Sequence, residues 1–317
     1  MADVMSNLEP QSTPSVSTDC PAASGQPLSQ RIATRDAVLG EGMTIRRALP
    51  SRHRRMVGAW CFFDHFGPVD VSSGSGMRVG PHPHIGLQTV TWPLQGEILH
   101  RDTLGYAQII RPGQLNVMTA GRGIAHSEES PANRPPILHG AQLWIALPDA
   151  ERHCDPAFDH HPVLPIVERD GVTTTVLAGE ALGERSPAKI YTPLVGIDLA
   201  MPEAAATAFP LRPEFEHGVL VLEGDVLIED ARLAIGTFLY LGCGRDTLKL
   251  RAAGAARVLL IGGVPFGEEV LLWWNFVART KQEIITARTD WESSRYFGDV
   301  HGYPGQRLAA PALPWPA

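Results

Sequence analysis

Two short segments of the sequence carry side chains that bind transition metals. The first contains His82 and His84, and the second contains His126 and Glu128, each pair separated by one residue. Because alternate residues of a β-strand point to the same face, each pair would present its two side chains together. Imidazole is a good ligand for Fe, Co, Ni, Cu and Zn. Without a thiolate, this set of three imidazoles and one carboxylate does not suit structural zinc, which prefers closed cysteine-rich sites.

Such a ligand set predicts a metal site with room for a reactant. Four protein ligands around an octahedral metal leave two positions open, and open positions on a nitrogen and oxygen site are typical of redox or Lewis-acid chemistry. Pro81 and Pro83 stiffen the backbone around His82, which lowers the entropy lost when a metal binds. The alternative is that the two neighbouring histidines are an accident of a surface or a core.

The elements that must position these side chains are short strands. Apolar runs rich in β-branched and aromatic residues cover residues 85–92, 106–110 and 115–119, and turn residues separate them. Turns at intervals of roughly 8–12 residues, with few helical periods, indicate an all-β barrel or sandwich. The same rhythm returns from residue 163 onward, which predicts a second β domain of similar size.

This rhythm divides the chain into five predicted parts. They are a flexible tail (1–29), a metal-binding β domain (30–150), a connector (151–162), a metal-free β domain with a helix at 281–296 (163–300) and a C-terminal tail (301–317). The first tail is rich in Ser and Pro, so we expect it to bury too little apolar surface to fold by itself, although it could become ordered on a neighbouring surface. The connector carries histidines, a cysteine and aspartates, which we interpret as a solvated linker rather than a second metal site. Thr280 and Glu283 have capping-box spacing at the start of the helix, and Ile284, Ala287 and Trp291 form its apolar stripe.

The composition limits the classes of partner. The 317 residues are 44% hydrophobic and 19% charged, with a formal net charge of −7. This acidic balance disfavours direct nucleic-acid binding and an anionic membrane surface. We find no apolar stretch of membrane-spanning length, no features of a signal peptide and no C-x-x-C pair among the four cysteines. We therefore expect a cytoplasmic protein with reduced thiols and no membrane partner.

The motifs around the histidines resemble those of the pirins. They are D-H-F-G-P at 64–68, P-H-P-H at 81–84, M-T-A-G-R-G-I at 118–124 and H-S-E at 126–128, together with Q-L-W at 142–144 and N-F-V at 275–277. The resemblance covers about residues 30–300 and implies two fused cupin (jelly-roll) β-barrels with a C-terminal helix. It also implies one metal, Fe(II) in pirins, bound by His82, His84, His126 and Glu128. Mn, Ni, Co, Cu or Zn are alternatives, and the second barrel would carry no metal.

The resemblance implies two functions of different kinds. Some pirins resemble quercetin 2,3-dioxygenases, which open the central ring of a flavonol with O₂ and release CO. In that reaction Glu128, as a ligand or as a freed base, would accept the proton of the flavonol 3-hydroxyl group. Eukaryotic pirins resemble iron-dependent transcriptional cofactors, which would make this chain a redox-sensitive regulator with a protein partner and no turnover. A cupin enzyme acting on another small oxygenated molecule is a third candidate.

Several other polar residues could belong to the site. Many cupins have a Glu shortly after the paired histidines, where this chain has Gln88, and a neutral amide there would make the site less negative. We expect His65 either to orient a metal ligand or to stabilise a turn. His100 and Asp102 share a strand face and would lie either at the surface or behind a ligand. Arg122 would either meet an anionic substrate or face solvent.

Overall fold

The chain folds into two β-barrels. The computed structural model describes residues 15–16, 28–229, 231–313 and 315. Each barrel consists of a seven-stranded sheet and a four-stranded sheet, and the described residues contain one α-helix, near the C-terminus. The prediction of an all-β chain of two jelly-roll barrels with a C-terminal helix is therefore confirmed.

The first barrel is built from eleven strands. Two strands precede it, β1 Ser15–Val16 and β2 Gln30–Ala33. Its own strands are β3 Arg35–Leu39, β4 Met43–Leu49, β5 Trp60–Asp70, β6 Arg78–His84, β7 Leu87–Gln95, β8 Ile98–Asp102, β9 Ala107–Ile110, β10 Leu115–Thr119, β11 Ile124–Glu129, β12 Ile137–Ala146 and β13 Ala157–His161. The larger sheet has the order β13-β10-β7-β12-β5-β4-β3, and the smaller has the order β6-β11-β8-β9. The strands that carry the predicted ligands, β6 and β11, are therefore neighbours.

The second barrel repeats this architecture. The strands that follow the first barrel are β14 Ile166–Arg169, β15 Val172–Ala178, β16 Glu180–Ala181, β17 Glu184–Arg185, β18 Leu194–Met201, β19 Ala206–Pro210, β20 Glu216–Glu223, β21 Asp225–Ile228, β22 Ala231–Ala234, β23 Thr237–Gly242, β24 Thr247–Ala252, β25 Ala256–Gly263, β26 Glu269–Trp273 and β27 Phe276–Ala278. Of these, β16 and β17 form a separate two-stranded sheet, and β26 and β27 form a separate sheet with β1. The larger sheet is β14-β15-β18-β25-β20-β23-β2 and the smaller is β19-β24-β21-β22. Strand β2, which lies in the segment we assigned to the first domain, thus completes a sheet of the second barrel by pairing with β23.

One hydrophobic cluster extends across both barrels. A single cluster of buried side chains draws on the larger sheets of both. Phe63 of β5 meets Phe238 of β23 edge to face, with ring centroids 6.2 Å apart. The indole Nε1 of Trp92 in the first barrel donates a hydrogen bond of 2.9 Å to the carboxylate of Asp198 in the second. Apolar packing and paired polar groups therefore fix the barrels against each other.

The helix α1 spans Lys281–Glu292 and begins where the sequence predicts. The Thr280 side chain accepts a hydrogen bond of 3.2 Å from the Glu283 amide, and the predicted apolar stripe is buried. The predicted end at residue 296 is wrong, because Ser293 caps the helix and Ser294 has a φ of +54°, which no α-helix continues. No helix among the described residues is long and apolar enough to cross a membrane, and none of the described cysteines forms a disulfide.

The segments predicted as connector and tails are partly built into the barrels. Strand β13, within the predicted connector, pairs with β10 along five residues. Part of this segment is therefore an edge of the first barrel. In the C-terminal tail, the Leu308 amide donates to the Pro81 carbonyl at 2.8 Å. In the N-terminal tail, Ser15 and Val16 pair with β26, and the other residues before 28 lie outside the described part of the chain.

Candidate metal centre

Three histidines meet where β6 and β11 run side by side. His82 and His126 are directly opposite each other in the antiparallel pair, and His84 is the last residue of β6. His84 is 0% exposed, and His82 and His126 are each 1% exposed. Ligand nitrogens of the three rings all lie within 4.8 Å of one another. Within the described residues this is the one group of three or more potential ligands close enough to hold a metal ion.

Hydrogen bonds to the backbone orient two of these rings. His82 Nδ1 lies 2.8 Å from the Gly80 carbonyl oxygen, and His84 Nδ1 lies 3.0 Å from the Asn275 carbonyl oxygen. Because a carbonyl oxygen only accepts, each Nδ1 must carry the hydrogen, and each Nε2 keeps its lone pair. Such an arrangement fixes the tautomer of a metal-binding histidine. Both rings are therefore prepared to bind a cation through Nε2.

The third ring completes a cluster that suits a cation. Nε2 of His126 lies 3.0 Å from Nε2 of His84. If both nitrogens present lone pairs, they repel each other unless a positive charge lies between them. Burial lowers the pKa of His82 to about 4, and burial together with the neighbouring histidines lowers the pKa of His84 and His126 well below the usual range. All three rings are therefore neutral at pH 7, as metal binding requires.

Glu128 lies two residues after His126 on β11 but is not one of the three members of this cluster. A register shift separates it from His126 in the pairing of β11 with β6. Its side chain is buried, and Oε1 accepts a hydrogen bond of 3.3 Å from the Thr91 hydroxyl. Burial raises its pKa to about 7, which the Thr91 hydrogen bond opposes only in part. A buried carboxyl group in this position favours a nearby cation, which would stabilise its ionised form.

The structure decides between the alternatives for His100 and Asp102. Both are buried, at 3% and 1% exposure, so the surface alternative is wrong. They lie on β8 beside β11, and His100 Nδ1 is 3.4 Å from Nδ1 of His126. The pair therefore lies directly behind one of the three clustered histidines.

Gln88 and His65 form hydrogen bonds outside the histidine cluster. Gln88 Nε2 donates to Thr119 Oγ1 at 2.9 Å and to the Lys189 carbonyl at 3.0 Å, so it joins the first barrel to the segment before β18. His65 lies on β5, where its Nε2 is 2.8 Å from Nε2 of His139. It therefore neither stabilises a turn nor contacts a clustered histidine.

The remaining candidates are also resolved. The Arg122 side chain is half-exposed and forms an ion pair with the exposed Asp155, which agrees with the alternative that it faces solvent. The histidines, cysteine and aspartates of the predicted connector form no second metal group among the described residues.

Two contributors to the site have no role that the sequence predicts. The backbone of Asn275 lies 191 positions after His84, in the turn between β26 and β27. Its N-F-V motif was visible in the sequence, but its contact with His84 was not. Phe158 stacks on His100, with ring centroids 4.2 Å apart and planes 11° apart. It lies in the predicted connector, where no local pattern marks it.

Comparisons with known proteins agree with this architecture. Residues 42–145 match the pirin family, and residues 196–297 match the pirin C-terminal cupin domain. A Pseudomonas aeruginosa protein, provisionally named quercetin 2,3-dioxygenase, is 52% identical over 313 residues, 98% of either chain. Human pirin is 31% identical over 284 residues, 86% of this chain and 94% of pirin.

Solved structures show the same fold. A crystal structure of quercetin 2,3-dioxygenase from Acinetobacter baumannii is 49% identical, with a TM-score of 0.88 over 90% of this chain and 96% of that one. The Escherichia coli pirin YhhW, solved in complex with nickel(II), is 20% identical, with a TM-score of 0.60 over 75% of this chain and all of YhhW. With both barrels matched and relatives aligned over most of its length, the chain belongs to the pirin family.

Proposed function

We propose that this protein is a metal-dependent dioxygenase of the pirin type, with a flavonol such as quercetin as its candidate substrate and O₂ as the second reactant. One observation carries the proposal: three buried, neutral imidazoles form a cluster in which the ligand nitrogens lie within 4.8 Å of one another. The 52% identity to a protein provisionally named quercetin 2,3-dioxygenase supports this choice of chemistry.

The proposed ligands are His82, His84, His126 and Glu128. The three imidazoles are neutral and buried, and the buried carboxyl group of Glu128, two residues after His126 on β11, would be the fourth ligand. Fe(II) is the first candidate metal, and Mn, Ni, Co, Cu and Zn suit the same nitrogen and oxygen donors. When bound, such a metal supplies Lewis-acid and redox chemistry toward the flavonol and O₂.

The protein would orient the metal-binding imidazoles, exclude water from the site and supply a proton acceptor. The backbone carbonyls of Gly80 and Asn275 hold two of the imidazoles in place. The low exposure of the histidines excludes bulk water, which strengthens every electrostatic interaction at the site. With Oε1 of Glu128 hydrogen-bonded to Thr91, Oε2 is the oxygen that would accept the proton of the 3-hydroxyl group. Overall, the flavonol and O₂ would give a ring-opened ester and CO.

Turnover of quercetin in air tests the proposal. Protein loaded separately with Fe(II), Mn(II) or Ni(II) is mixed with quercetin, while the flavonol absorbance and the release of CO are followed. We expect stoichiometric CO and loss of absorbance with at least one metal. The variant His82→Ala should lose this activity, and His53→Ala, which changes an exposed histidine, should retain it.

Two results would contradict the proposal. One is decay of quercetin that is no faster than with His82→Ala under every metal. The other is decay without CO. A protein that binds iron, shows no turnover and captures a partner only in one iron oxidation state would instead be the regulator considered above.

A further inference from the structure

A chain of three side chains lies behind the histidine cluster and runs from Asp102 through His100 to His126. We propose that Asp102 is a positioning residue that acts through His100 to determine which nitrogen of His126 carries its lone pair toward the candidate metal. This inference rests on the proposed function, because it assigns a role in metal binding to residues that are not ligands.

Asp102 is fixed by the backbone at the end of β8. Its Oδ1 accepts hydrogen bonds from the amides of Leu104 and Tyr106, at 2.9 and 3.1 Å. Its Oδ2 lies 2.8 Å from Nε2 of His100. A carboxylate oxygen accepts and does not donate, so Nε2 of His100 must carry the hydrogen. Asp102 therefore selects one tautomer of His100.

His100 passes this selection to His126. In a neutral imidazole with its hydrogen on Nε2, Nδ1 has the lone pair. His100 Nδ1 faces Nδ1 of His126 at 3.4 Å, so the His126 nitrogen must donate to it. The lone pair of His126 is then on Nε2, the atom that lies 3.0 Å from Nε2 of His84. We call the series Asp102, His100 and His126 the relay. The Phe158 ring, stacked on His100, keeps the His100 imidazole in its plane.

The relay makes His126 different from the other two histidines. Gly80 and Asn275 hold His82 and His84 through carbonyl oxygens, which cannot become donors. The tautomer of His126 depends instead on side chains, so one substitution can reverse it. With the relay intact, all three Nε2 atoms offer lone pairs to a single cation.

The substitution Asp102→Asn tests this logic with almost no change in shape. The asparagine Oδ1 stays on the two backbone amides, because an amide N–H needs an acceptor. Its NH₂ group then replaces Oδ2 and donates to Nε2 of His100. His100 must now donate from Nδ1, His126 must accept there, and the hydrogen of His126 moves to Nε2, where it blocks the metal. We expect the affinity for Fe(II) or Ni(II), measured by competition with a chelator, to fall about 10- to 100-fold.

Two controls separate this positioning role from general damage. Asp159→Asn makes the same change on β13 of the same barrel and should leave metal affinity within twofold of wild type. In a His100→Ala background the relay is already broken. In that background Asp102→Asn should weaken metal binding no further, whereas two independent substitutions would multiply their effects on the metal affinity.

A direct reading of the tautomers needs no metal. In the metal-free wild type, ¹⁵N NMR of labelled histidine should show His126 with a protonated Nδ1 and an unprotonated Nε2, and Asp102→Asn should exchange the two. If the wild type shows the opposite pattern, or if the substitution leaves both tautomer and affinity unchanged, the relay is refuted. A wild type that binds no metal would refute the proposed function, while the tautomer measurement would still decide the relay.

Discussion

Glu128 should make the metal-free protein less stable as the pH rises. Burial raises its pKa from the ordinary 4.5 to about 7. A difference of one between the folded and unfolded pKa values corresponds to about 1.4 kcal/mol. The folded state therefore disfavours the ionised carboxylate by about 3 kcal/mol. Below pH 4.5 the group is neutral in both states and there is no penalty. Between pH 4.5 and 7 the unfolded chain releases its proton first, so the folded state loses stability until its own carboxyl group ionises.

The substitution Glu128→Gln removes this penalty and keeps the shape of the side chain. At pH 4 the metal-free wild type and variant should have similar free energies of unfolding. At pH 8.5 the variant should be more stable by up to about 3 kcal/mol, as measured by urea denaturation in the presence of a chelator. With metal present the order should reverse, because the variant loses a proposed ligand and the stabilisation that metal binding gives to the folded state.

Glu129→Gln is the matched control for this experiment. Glu129 is also buried on β11, but it forms salt bridges with Arg78 and Arg101. Its replacement removes the carboxylate that pairs with both arginines, so the variant should be no more stable than wild type at any pH. If Glu128→Gln shows no gain in stability between pH 4 and pH 8.5, Glu128 is not the strained carboxyl group described here.

Three further predictions concern the contact between the barrels, a buried histidine and the effect of metal on stability. Trp92→Phe should lower the free energy of unfolding by about 1–3 kcal/mol, because Asp198 loses a buried donor; an unchanged urea midpoint would contradict this. Burial lowers the pKa of His65 to about 3, so its contribution to stability is complete above pH 6.5 and is lost as the pH falls toward 3. His65→Phe should therefore lose less stability than wild type in unfolding measured from pH 7 to pH 4, and equal losses would contradict the assignment. Adding metal at about 100 times its Kd should stabilise the folded state by about 2.7 kcal/mol in thermal unfolding, and His82→Ala should abolish that effect.

The sequence predicts the local parts of the site well, because strand parity and helix capping depend on neighbouring residues. His82 and His84 come together on β6 as their spacing indicates, and Thr280 caps α1 as its motif indicates. The parity argument is weaker for His126 and Glu128, since a register shift lies between them. A bulge changes the face of the sheet to which a side chain points, and the spacing of two residues in the sequence does not reveal it.

Long-range contacts could not be predicted from the sequence. Strand β2 crosses to the second barrel, although its position in the chain suggests the first. The Asn275 carbonyl reaches His84 from the far end of the chain, and a backbone group has no sequence signature. Phe158 reaches His100 because β13 adds an edge to the first barrel. Such contacts depend on which strands pair, and periodicity alone does not determine pairing.

The metal content of the purified protein tests the central claim most directly. The protein is prepared without added metal and without affinity tags that bind metals, and the metal per chain is measured by elemental analysis. The same measurement follows anaerobic dialysis against Fe(II). We predict one divalent transition metal per chain in the wild type and loss of that metal in His82→Ala and His126→Ala. No bound metal in the wild type under either condition, or one equivalent retained in both variants, would contradict the account.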